Sequence, residues 1–219
     1  EKSAVTPLAP AAEMVPASAA AVAEFRAARG MTPRSIFYLG SLEPRKNLAT
    51  LLAAVARLRS MDNGVFSDVR LFIGGAPAWK YDAILARAAE PDLAGAVSIV
   101  GRVDALELPL WYSACGVFAF PSLYEGFGLP PLEAMACGAA VVCSAATSLP
   151  EVTGDAAILV KPLDSEAWAA SLGTVLANPN LQASLRARAR GRAAGFTWAR
   201  TAEQTLNTYG EALAGPSTR

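Results

Sequence analysis

Hydrophobic residues along the chain follow two alternating patterns. Short apolar runs, for example residues 35–39 and 69–73, stop at a glycine, as buried parallel strands often do. Between these runs, apolar residues recur three or four positions apart, and Leu48, Leu51 and Leu52 begin one such stretch. That spacing places apolar side chains on one face of a helix. The chain is therefore predicted to alternate short strands with helices.

The alternation continues to the end of the chain. Strands are predicted over residues 35–39, 69–73, 97–100, 117–120, 140–143 and 157–160, and helices over residues 47–58, 79–89, 107–114, 130–136, 165–177, 179–192 and 198–213. This order predicts an α/β fold, a Rossmann-like doubly wound parallel sheet of about six strands. Ligands bind such sheets at the carboxyl ends of the strands, so the loops after the first five strands are expected to share one edge.

The length of 219 residues suits one full α/β domain. Residues 1–30 are interpreted as a linker rich in Pro and Ala, followed by a short helix that Ser18 caps and Gly30 ends. Residues 31–214 are assigned to the Rossmann-like domain, and residues 215–219 to a tail.

Charge and composition exclude several classes of protein. Lys and Arg together number 19, as do Asp and Glu, so no global field would recruit nucleic acid or an anionic membrane. No apolar run is long enough for a transmembrane segment. The first residues lack the pattern of a signal peptide, which favours a cytoplasmic location.

The absence of His restricts the chemistry that is open to the chain. It removes Ser-His triads, most catalytic zinc sites and the commonest general base. The three cysteines, Cys115, Cys137 and Cys143, have no metal-ligand spacing and are expected to be buried reduced thiols. No metal site is predicted, and carboxylates, cations and backbone dipoles are left to act on a ligand.

The first segment with candidate chemistry connects the first strand to its helix. It reads Gly40-Ser41-Leu42-Glu43-Pro44-Arg45-Lys46-Asn47. Two adjacent cations ahead of a helix N-terminus suit a diphosphate, because Arg45 offers a planar fork and Lys46 a compact charge. A solvated basic turn explains the same residues equally well.

The second segment follows the strand at 117–120 and contains two carboxylates, Glu125 in a loop and Glu133 about one turn inside the next helix. Gly126 and Gly128 permit close backbone approach or a positive φ. Glu133 lies in a stretch that otherwise reads as core, where an unpaired carboxylate is costly and bound hydroxyls would serve as partners. The alternative makes Gly128 a helix-cap residue and Glu133 a surface residue.

These residues resemble a known family. Glu125 and Glu133 have seven residues between them with Gly-Phe-Gly-Leu-Pro inside, and so resemble the E-x7-E signature of retaining GT-B glycosyltransferases of family 4. The resemblance extends over roughly residues 35–210 in the family's order. It includes Glu-Pro-Arg-Lys-Asn at 43–47, Gly-Gly at 74–75, Gly-Arg-Val at 101–103, Pro-Ser at 121–122 and Leu-Pro-Glu-Val at 149–152.

The resemblance implies a role for each matched position. Arg45 and Lys46 would neutralise the diphosphate leaving group, and Glu125 would bind hydroxyls of the transferred sugar. Glu133 would take the ribose hydroxyls. The remaining matched residues would contact the donor or its base, largely through backbone atoms: Gly40, Ser41, Arg102, Val103, Gly126, Phe127, Gly128 and Leu129. Ser41 stands where many relatives carry an Arg, which leaves a third cation on the diphosphate in question.

The chemistry of the residues agrees with these implied roles. Breaking a glycosyl–phosphate bond develops negative charge on the departing diphosphate, and fixed cations and N–H dipoles lower that barrier without a proton transfer. They could also replace a metal, so no cofactor is expected. A front-face route, in which the departing phosphate helps to deprotonate the acceptor, is implied by the family alone.

The resemblance supplies only the C-terminal half of a GT-B fold. The chain is therefore expected to bind a nucleoside diphosphate sugar, GDP-mannose first and a UDP-sugar second, and to transfer little sugar without an N-terminal domain. That missing domain would bind a glycan or lipid-linked acceptor and could bring the protein to the inner membrane. The alternatives are a nucleotide-sugar-binding module without transfer activity and a GT-B sugar-nucleotide epimerase. The intact set of Arg45, Lys46, Glu125 and Glu133 favours transfer.

Overall fold

The computed structural model describes residues 3–61 and 64–214. Six strands form one parallel sheet: β1 (Ile36–Leu39), β2 (Leu71–Gly74), β3 (Val97–Gly101), β4 (Val117–Phe120), β5 (Val141–Ser144) and β6 (Ile158–Val160). Their order across the sheet is β3-β2-β1-β4-β5-β6. The predicted α/β fold, with a doubly wound sheet of about six strands, is confirmed.

Helices cover both faces of the sheet. In chain order they are α1 (Ala19–Arg29), α2 (Leu48–Ser60), α3 (Asp82–Ala88), α4 (Leu108–Ala114), α5 (Leu129–Ala136), α6 (Leu149–Thr153), α7 (Ser165–Ala177), α8 (Pro179–Ala193) and α9 (Trp198–Ala214). Every residue of β2, β4 and β5 is buried, because these interior strands are covered by helices on both sides. None of the helices in the described ranges is long and apolar enough to span a membrane.

The strand order fixes where a ligand can enter. The chain adds β2 and β3 on one side of β1, then returns to add β4, β5 and β6 on the other side. Ile36 of β1 pairs with Leu71 of β2 and with Val117 of β4, so the order reverses between β1 and β4. The loops that follow these two strands therefore flank the switch point at the carboxyl edge of the sheet.

An aromatic cluster on one face of the sheet joins α1 and α4 to the strands. The ring of Trp111 on α4 lies 5.0 Å from Phe37 of β1 and 5.1 Å from Phe25 of α1, between centroids. Trp111 and Phe37 are almost completely buried. Burying large aromatic surface is a major source of core stability, so this cluster anchors α1 to the sheet.

The beginning of the chain packs against its last helix. Thr201 and Trp198 of α9 donate hydrogen bonds to the carbonyl oxygens of Pro7 and Pro10, at 2.6 and 3.1 Å. Ser18 accepts from the amide of Ala21 at 3.2 Å and caps α1, while Gly30 ends it with a φ of 64°. The predicted caps of this helix are confirmed. The division into 1–30 and 31–214 stays a prediction, and the tail at 215–219 lies outside the described residues.

Two helices differ from the sequence-based prediction. The helix predicted over 79–89 begins only at Asp82, because Lys80 has a φ of 56°, which a right-handed helix cannot include. Helix α6 was not predicted as a helix, since its five residues are too few to show a periodic pattern. The three cysteines are buried and free, as predicted. Burial raises the pKa of the Cys115 thiol to about 11, so it stays protonated at neutral pH.

Candidate functional site

The loop after β1 is fixed by a buried asparagine. Asn47 has a φ of 57°, a left-handed conformation that Asn tolerates better than most residues. Its side-chain amide donates to the carbonyl oxygens of Pro121 at 3.0 Å and Pro162 at 2.7 Å. Asn47 thereby ties together the loops that follow β1, β4 and β6, and it fixes the short 3₁₀ turn Pro44–Lys46 just before it.

The loops after β1 and β4 meet at the switch point through a short ion pair. The Nζ atom of Lys46 lies 2.6 Å from Oε1 of Glu125, and the two side chains are only 10% and 11% exposed. The Ser122 hydroxyl donates to the same Oε1 at 2.6 Å. The ammonium of Lys46 also lies 5.2 Å from the centre of the Phe120 ring. Because both charges are largely shielded from water, this pair is held more firmly than a surface ion pair.

Arg45 lies at the rim beside this pair. Its guanidinium donates to Glu43 Oε1 at 2.6 Å and to the carbonyl oxygen of Tyr124 at 2.7 Å, and it lies 3.5 Å from Glu125 Oε1. The Arg45 side chain is 42% exposed. The two predicted cations are thus together, facing two carboxylates. The alternative of a solvated basic turn fits Arg45 in part but does not fit the buried Lys46.

The predicted glycine loop follows Glu125 directly and leads into α5. Gly128 has a φ of 104°, and a Cβ there would lie 2.6 Å from a methyl group of Leu149, so glycine is required at this position. For Gly126 the predicted close approach or positive φ is wrong, since a Cβ there would meet only open space and its φ is not positive. Leu129 is the first residue of α5, and Phe127 lies partly buried beside it. Because Glu125 contacts Lys46, the residues that follow it, 126–129, lie at the same rim of the sheet as Lys46.

The second carboxylate, Glu133, has a protein partner that the sequence did not reveal. The hydroxyl of Tyr112 on α4 donates to Glu133 Oε2 at 3.1 Å, and Tyr112 is fully buried. Partial burial raises the pKa of the Glu133 carboxyl, while the hydrogen bond from Tyr112 acts in the opposite direction. Burial and the nearby Glu133 raise the pKa of Tyr112 well above its ordinary value, so it remains a donor.

Gly40 and Ser41 form the base of the loop after β1, packed against the loop after β2. A Cβ on Gly75 would lie 1.9 Å from the carbonyl oxygen of Gly40, so these two backbones touch. The Tyr38 hydroxyl donates to the carbonyl oxygen of Ser41 at 3.3 Å. Burial and the nearby carboxylates raise the pKa of Tyr38 well above its ordinary value. A substituent larger than hydrogen at Gly75 would displace the loop that carries the two cations.

Arg102 and Val103 follow β3, at the same edge of the sheet but away from Lys46. Two strands, β2 and β1, separate β3 from β4. Val103 packs over Gly74, where a Cβ would lie 2.8 Å from the valine methyl group. An open cavity of about 470 Å³ is lined by Arg102, Val103, Asp104, Ala105 and Leu108. A ligand would have to be extended along this edge of the sheet to reach both Lys46 and the residues after β3.

The loop between β5 and α6 also reaches Glu125. Thr147 accepts a hydrogen bond from the Glu125 amide, and Ser148 donates one to the Glu125 carbonyl oxygen, each at 3.1 Å. These contacts join three loops of one edge, yet nothing in the spacing of the sequence identifies Thr147 or Ser148. A cavity of about 260 Å³ adjoins this loop on the side of α8 and α9. In the parts of the chain that are described, no three His, Cys, Asp or Glu residues group as metal ligands.

Comparison with known proteins shows the family to which the chain belongs. Residues 23–192 match the family described as glycosyl transferases group 1. The chain is 38% identical over 172 residues to the O-antigen chain mannosyltransferase B of Escherichia coli, covering 78% of this chain and 44% of that protein. It is 36% identical over 193 residues to a D-inositol 3-phosphate glycosyltransferase of Salinispora tropica, covering 84% and 39%. The chain thus spans less than half the length of these relatives.

Solved structures share the fold. The sucrose-phosphate synthase of Thermosynechococcus elongatus superposes with a TM-score of 0.82 at 28% identity, over 96% of this chain and 53% of that one. The C-terminal domain of a group 1 glycosyltransferase from Francisella tularensis has a TM-score of 0.72 at 22% identity, over 83% and 94%. The chain therefore belongs to the group 1 glycosyltransferases and has the Rossmann-like fold of the C-terminal domain of a GT-B enzyme.

Proposed function

We propose that this chain is the donor-binding half of a retaining glycosyltransferase that moves a hexose from a nucleoside diphosphate sugar to a glycan or lipid-linked acceptor. One observation carries the proposal: the Arg45–Lys46 turn and the Glu125 loop are in contact at the switch point of the sheet. Ligands of doubly wound folds bind at that point, where both loops and the start of α5 converge.

Lys46 and Arg45 are proposed to bind the diphosphate. The leaving group gains negative charge as the glycosyl–phosphate bond breaks, and cations held in place beforehand stabilise that charge at no cost in reorganisation. Lys46 suits this role because its ammonium is nearly buried and already fixed by Glu125. Arg45, at the more exposed rim, would exchange part of its contact with Glu43 for a phosphate oxygen.

Glu125 is proposed to bind the transferred sugar. Its Oε1 atom accepts from Lys46 and Ser122. Within the described residues, its Oε2 atom accepts no hydrogen bond and can therefore accept one from a sugar hydroxyl. Glu125 lies beside the two cations that are proposed to bind the diphosphate. It can therefore contact the sugar that is attached to that diphosphate.

Glu133 is proposed to bind the ribose. Tyr112 occupies one of its oxygens, which leaves capacity for the two vicinal hydroxyls of a ribose. The backbone of residues 126–129 would contact the donor, with the N-terminal dipole of α5 adding partial positive charge. Gly40 and Ser41 would border the diphosphate. The backbone at Arg102 and Val103 would contact the base, further along the same edge.

Retention of the anomeric configuration is part of the proposal. The acceptor hydroxyl would form its bond to the sugar carbon on the face that the diphosphate leaves, and its proton would pass to the departing phosphate oxygen. The electron pair of the broken bond stays on that phosphate, where Lys46 and Arg45 compensate it. Such a route needs no protein base, no metal ion and no cofactor.

Two similar proteins guide the choice of donor. The Escherichia coli relative is named as a mannosyltransferase, which supports mannose as the sugar and GDP-mannose as the first donor. UDP-sugars come second, in keeping with an Anabaena protein of the same fold that was solved with UDP-glucose. Because the chain spans less than half of its relatives, we propose that a further domain binds the acceptor and that this chain alone transfers little sugar. A cytoplasmic location, with peripheral contact at the inner membrane through that domain, follows from the same proposal.

Calorimetric titration of the chain with GDP, UDP, ADP and TDP, and with their hexose conjugates, tests the proposal. We expect one base to bind best, GDP first, and its sugar conjugate to bind more tightly than the free diphosphate. A transfer assay on the same preparation is expected to show no turnover comparable to that of a complete enzyme. Binding of no nucleoside diphosphate at all would contradict the proposal.

A further inference from the structure

The loop between β5 and α6 forms hydrogen bonds with both the amide and the carbonyl group of Glu125. The amide of Glu125 donates to the Thr147 hydroxyl at 3.1 Å. The neighbouring Ser148 hydroxyl donates to the carbonyl oxygen of Glu125, also at 3.1 Å. The two side chains are adjacent in sequence and 22 and 23 positions from Glu125. Both polar groups of the Glu125 backbone are thus satisfied by a different loop, which restricts the two peptide units on either side of the Glu125 Cα.

The geometry of Thr147 carries a conformational cost. Its φ is 49°, in the left-handed region, where a β-branched side chain is a true outlier. Strained residues of this kind persist only where their surroundings determine them, and they cluster at functional sites. The contact that Thr147 makes in this conformation is the one with Glu125. The strain is therefore linked to the position of the carboxylate residue.

Ser148 also lacks the helix-capping hydrogen bond that its position would allow. It occupies the N-cap position of α6, where a serine side chain normally accepts a hydrogen bond from an amide of the first turn. Here it makes no such bond, and its hydroxyl is directed to Glu125 instead. Two consecutive residues thus depart from their locally favoured arrangements and contact the same partner.

The side chain of Glu125 needs this support, because its other contacts all act on one oxygen. Lys46, Ser122 and, at 3.5 Å, Arg45 approach Oε1. A carboxylate held only at one atom can rotate about it and close fully onto the two cations. A fixed backbone sets the position of the Glu125 Cα and Cβ, and so limits the positions that Oε2 can reach.

We propose that Thr147 and Ser148 are positioning residues that hold Glu125 in the orientation required for the donor sugar. The proposal rests on the assignment of Glu125 to the sugar. Neither residue needs to touch the donor. Their loss is expected to weaken the binding of the sugar much more than that of the diphosphate, because the Lys46 ammonium also lies over the Phe120 ring and Glu133 is held by Tyr112.

The test compares two substitutions at Thr147 in this chain. Thr147→Ser keeps the hydroxyl, whereas Thr147→Gly removes it and also relieves the strain. The Kd of GDP and that of GDP-mannose are measured by calorimetry, with UDP and UDP-glucose in parallel, and their ratio is the readout. Thr174→Ala on α7 serves as the control, since Thr174 bonds only within its own helix.

Thr147→Gly is expected to reduce the preference for the sugar conjugate by about 2- to 13-fold, the range for loss of one hydrogen bond. Its Kd for GDP is expected to stay within about twofold of the wild type, and its melting temperature not to fall, since glycine suits a positive φ. Thr147→Ser should retain the preference, and Ser148→Ala should reproduce the loss. Exchange of the Glu125 amide hydrogen should become faster in Thr147→Gly only.

Four results would overturn the inference, and each has a different meaning. A wild-type preference retained in Thr147→Gly shows that the contact does not position Glu125. An equal loss of GDP and GDP-mannose affinity shows a collapse of the whole site. If the wild-type chain binds GDP or UDP but shows no preference for either conjugate, the role of Glu125 fails first. If it binds neither nucleotide, the proposed function itself fails.

Discussion

Glu125 and Glu133 belong to one motif, but the structure gives them opposite surroundings. Glu125 lies in a loop and contacts Lys46, Ser122 and Arg45 through a single oxygen. Glu133 lies on α5, where no cation of the described residues pairs with it, and its side chain accepts from a neutral group, the hydroxyl of Tyr112. Burial raises the pKa of the Glu133 carboxyl. The negative charge of Glu125 is thus balanced by cations of the protein. Glu133 has only a neutral hydrogen-bond donor, so a ligand can supply further donors to it.

The difference explains how two identical side chains can serve two parts of one ligand. A compensated carboxylate adds no net charge near a diphosphate, so it can stand beside the phosphates and contact the sugar. A partly buried carboxylate without a cation repels an anion but gains from neutral donors, because hydrogen bonds to charged groups are stronger than those between neutral groups. The phosphate side and the ribose side of the site should therefore respond differently to substitution.

The largest effect is expected from Lys46→Met. The substitution removes the nearly buried cation and leaves Glu125 with only the more distant Arg45 as a cationic neighbour among the described residues. Affinity for GDP should fall by about 1.5–3 kcal/mol, roughly 10- to 150-fold in Kd.

Arg57→Ala is the control for the Lys46 variant, because Arg57 lies in the last turn of α2, at the opposite end of the helix from the site, and pairs with the exposed Glu166. That control should bind GDP like the wild type. An unchanged GDP affinity in Lys46→Met, measured by calorimetry, would show that the diphosphate binds elsewhere.

A smaller and more selective effect is expected from Glu133→Gln. The substitution keeps the shape but removes the charge that strengthens the hydrogen bonds to the ribose hydroxyls. Affinity for GDP should fall by about 1.4 kcal/mol, or roughly tenfold. Affinity for 2′,3′-dideoxy-GDP, which lacks both hydroxyls, should hardly change. The matched control is Glu166→Gln, since Glu166 is an exposed residue on α7. Equal losses for both nucleotides would rule out a ribose contact.

The smallest expected effect is a shift in pH dependence in Tyr112→Phe. Glu133 binds hydroxyls best when it is ionised, so GDP affinity should decline as the pH falls through the pKa of Glu133. The hydrogen bond from Tyr112 lowers that pKa, opposing the effect of burial. Its removal should move the acid limb of the affinity profile to higher pH, while the plateau at neutral pH changes little. Titrations between about pH 5 and 8 measure this, and a shift to lower pH would contradict the assignment.

Much of this arrangement follows from local sequence patterns. Strands and helices were predicted because buried parallel strands and amphipathic helices have distinct periods, and their alternation requires a sheet with loops at one edge. The meeting of Lys46 with Glu125 follows from that topology, since both residues lie in loops that follow neighbouring strands. Gly128 is marked by its place before a helix with Pro in the first turn.

Other parts of the site depend on contacts between distant segments and leave no local signal. Tyr112 lies 21 positions before Glu133 and reads as one more core aromatic. The pairing of Arg45 with Glu43 depends on rotamers that the spacing does not determine. Thr147 and Ser148 read as an ordinary turn, because a positive φ at threonine is disfavoured and no sequence rule predicts it.

The most direct test compares the two sides of the site with a ligand that has only phosphates. Wild type, Lys46→Met and Glu133→Gln are titrated with inorganic pyrophosphate and with GDP under the same conditions. Lys46→Met is expected to lose affinity for both ligands, and Glu133→Gln for GDP alone. If the two variants weaken pyrophosphate and GDP to the same extent, Lys46 and Glu133 do not bind separate parts of one nucleotide.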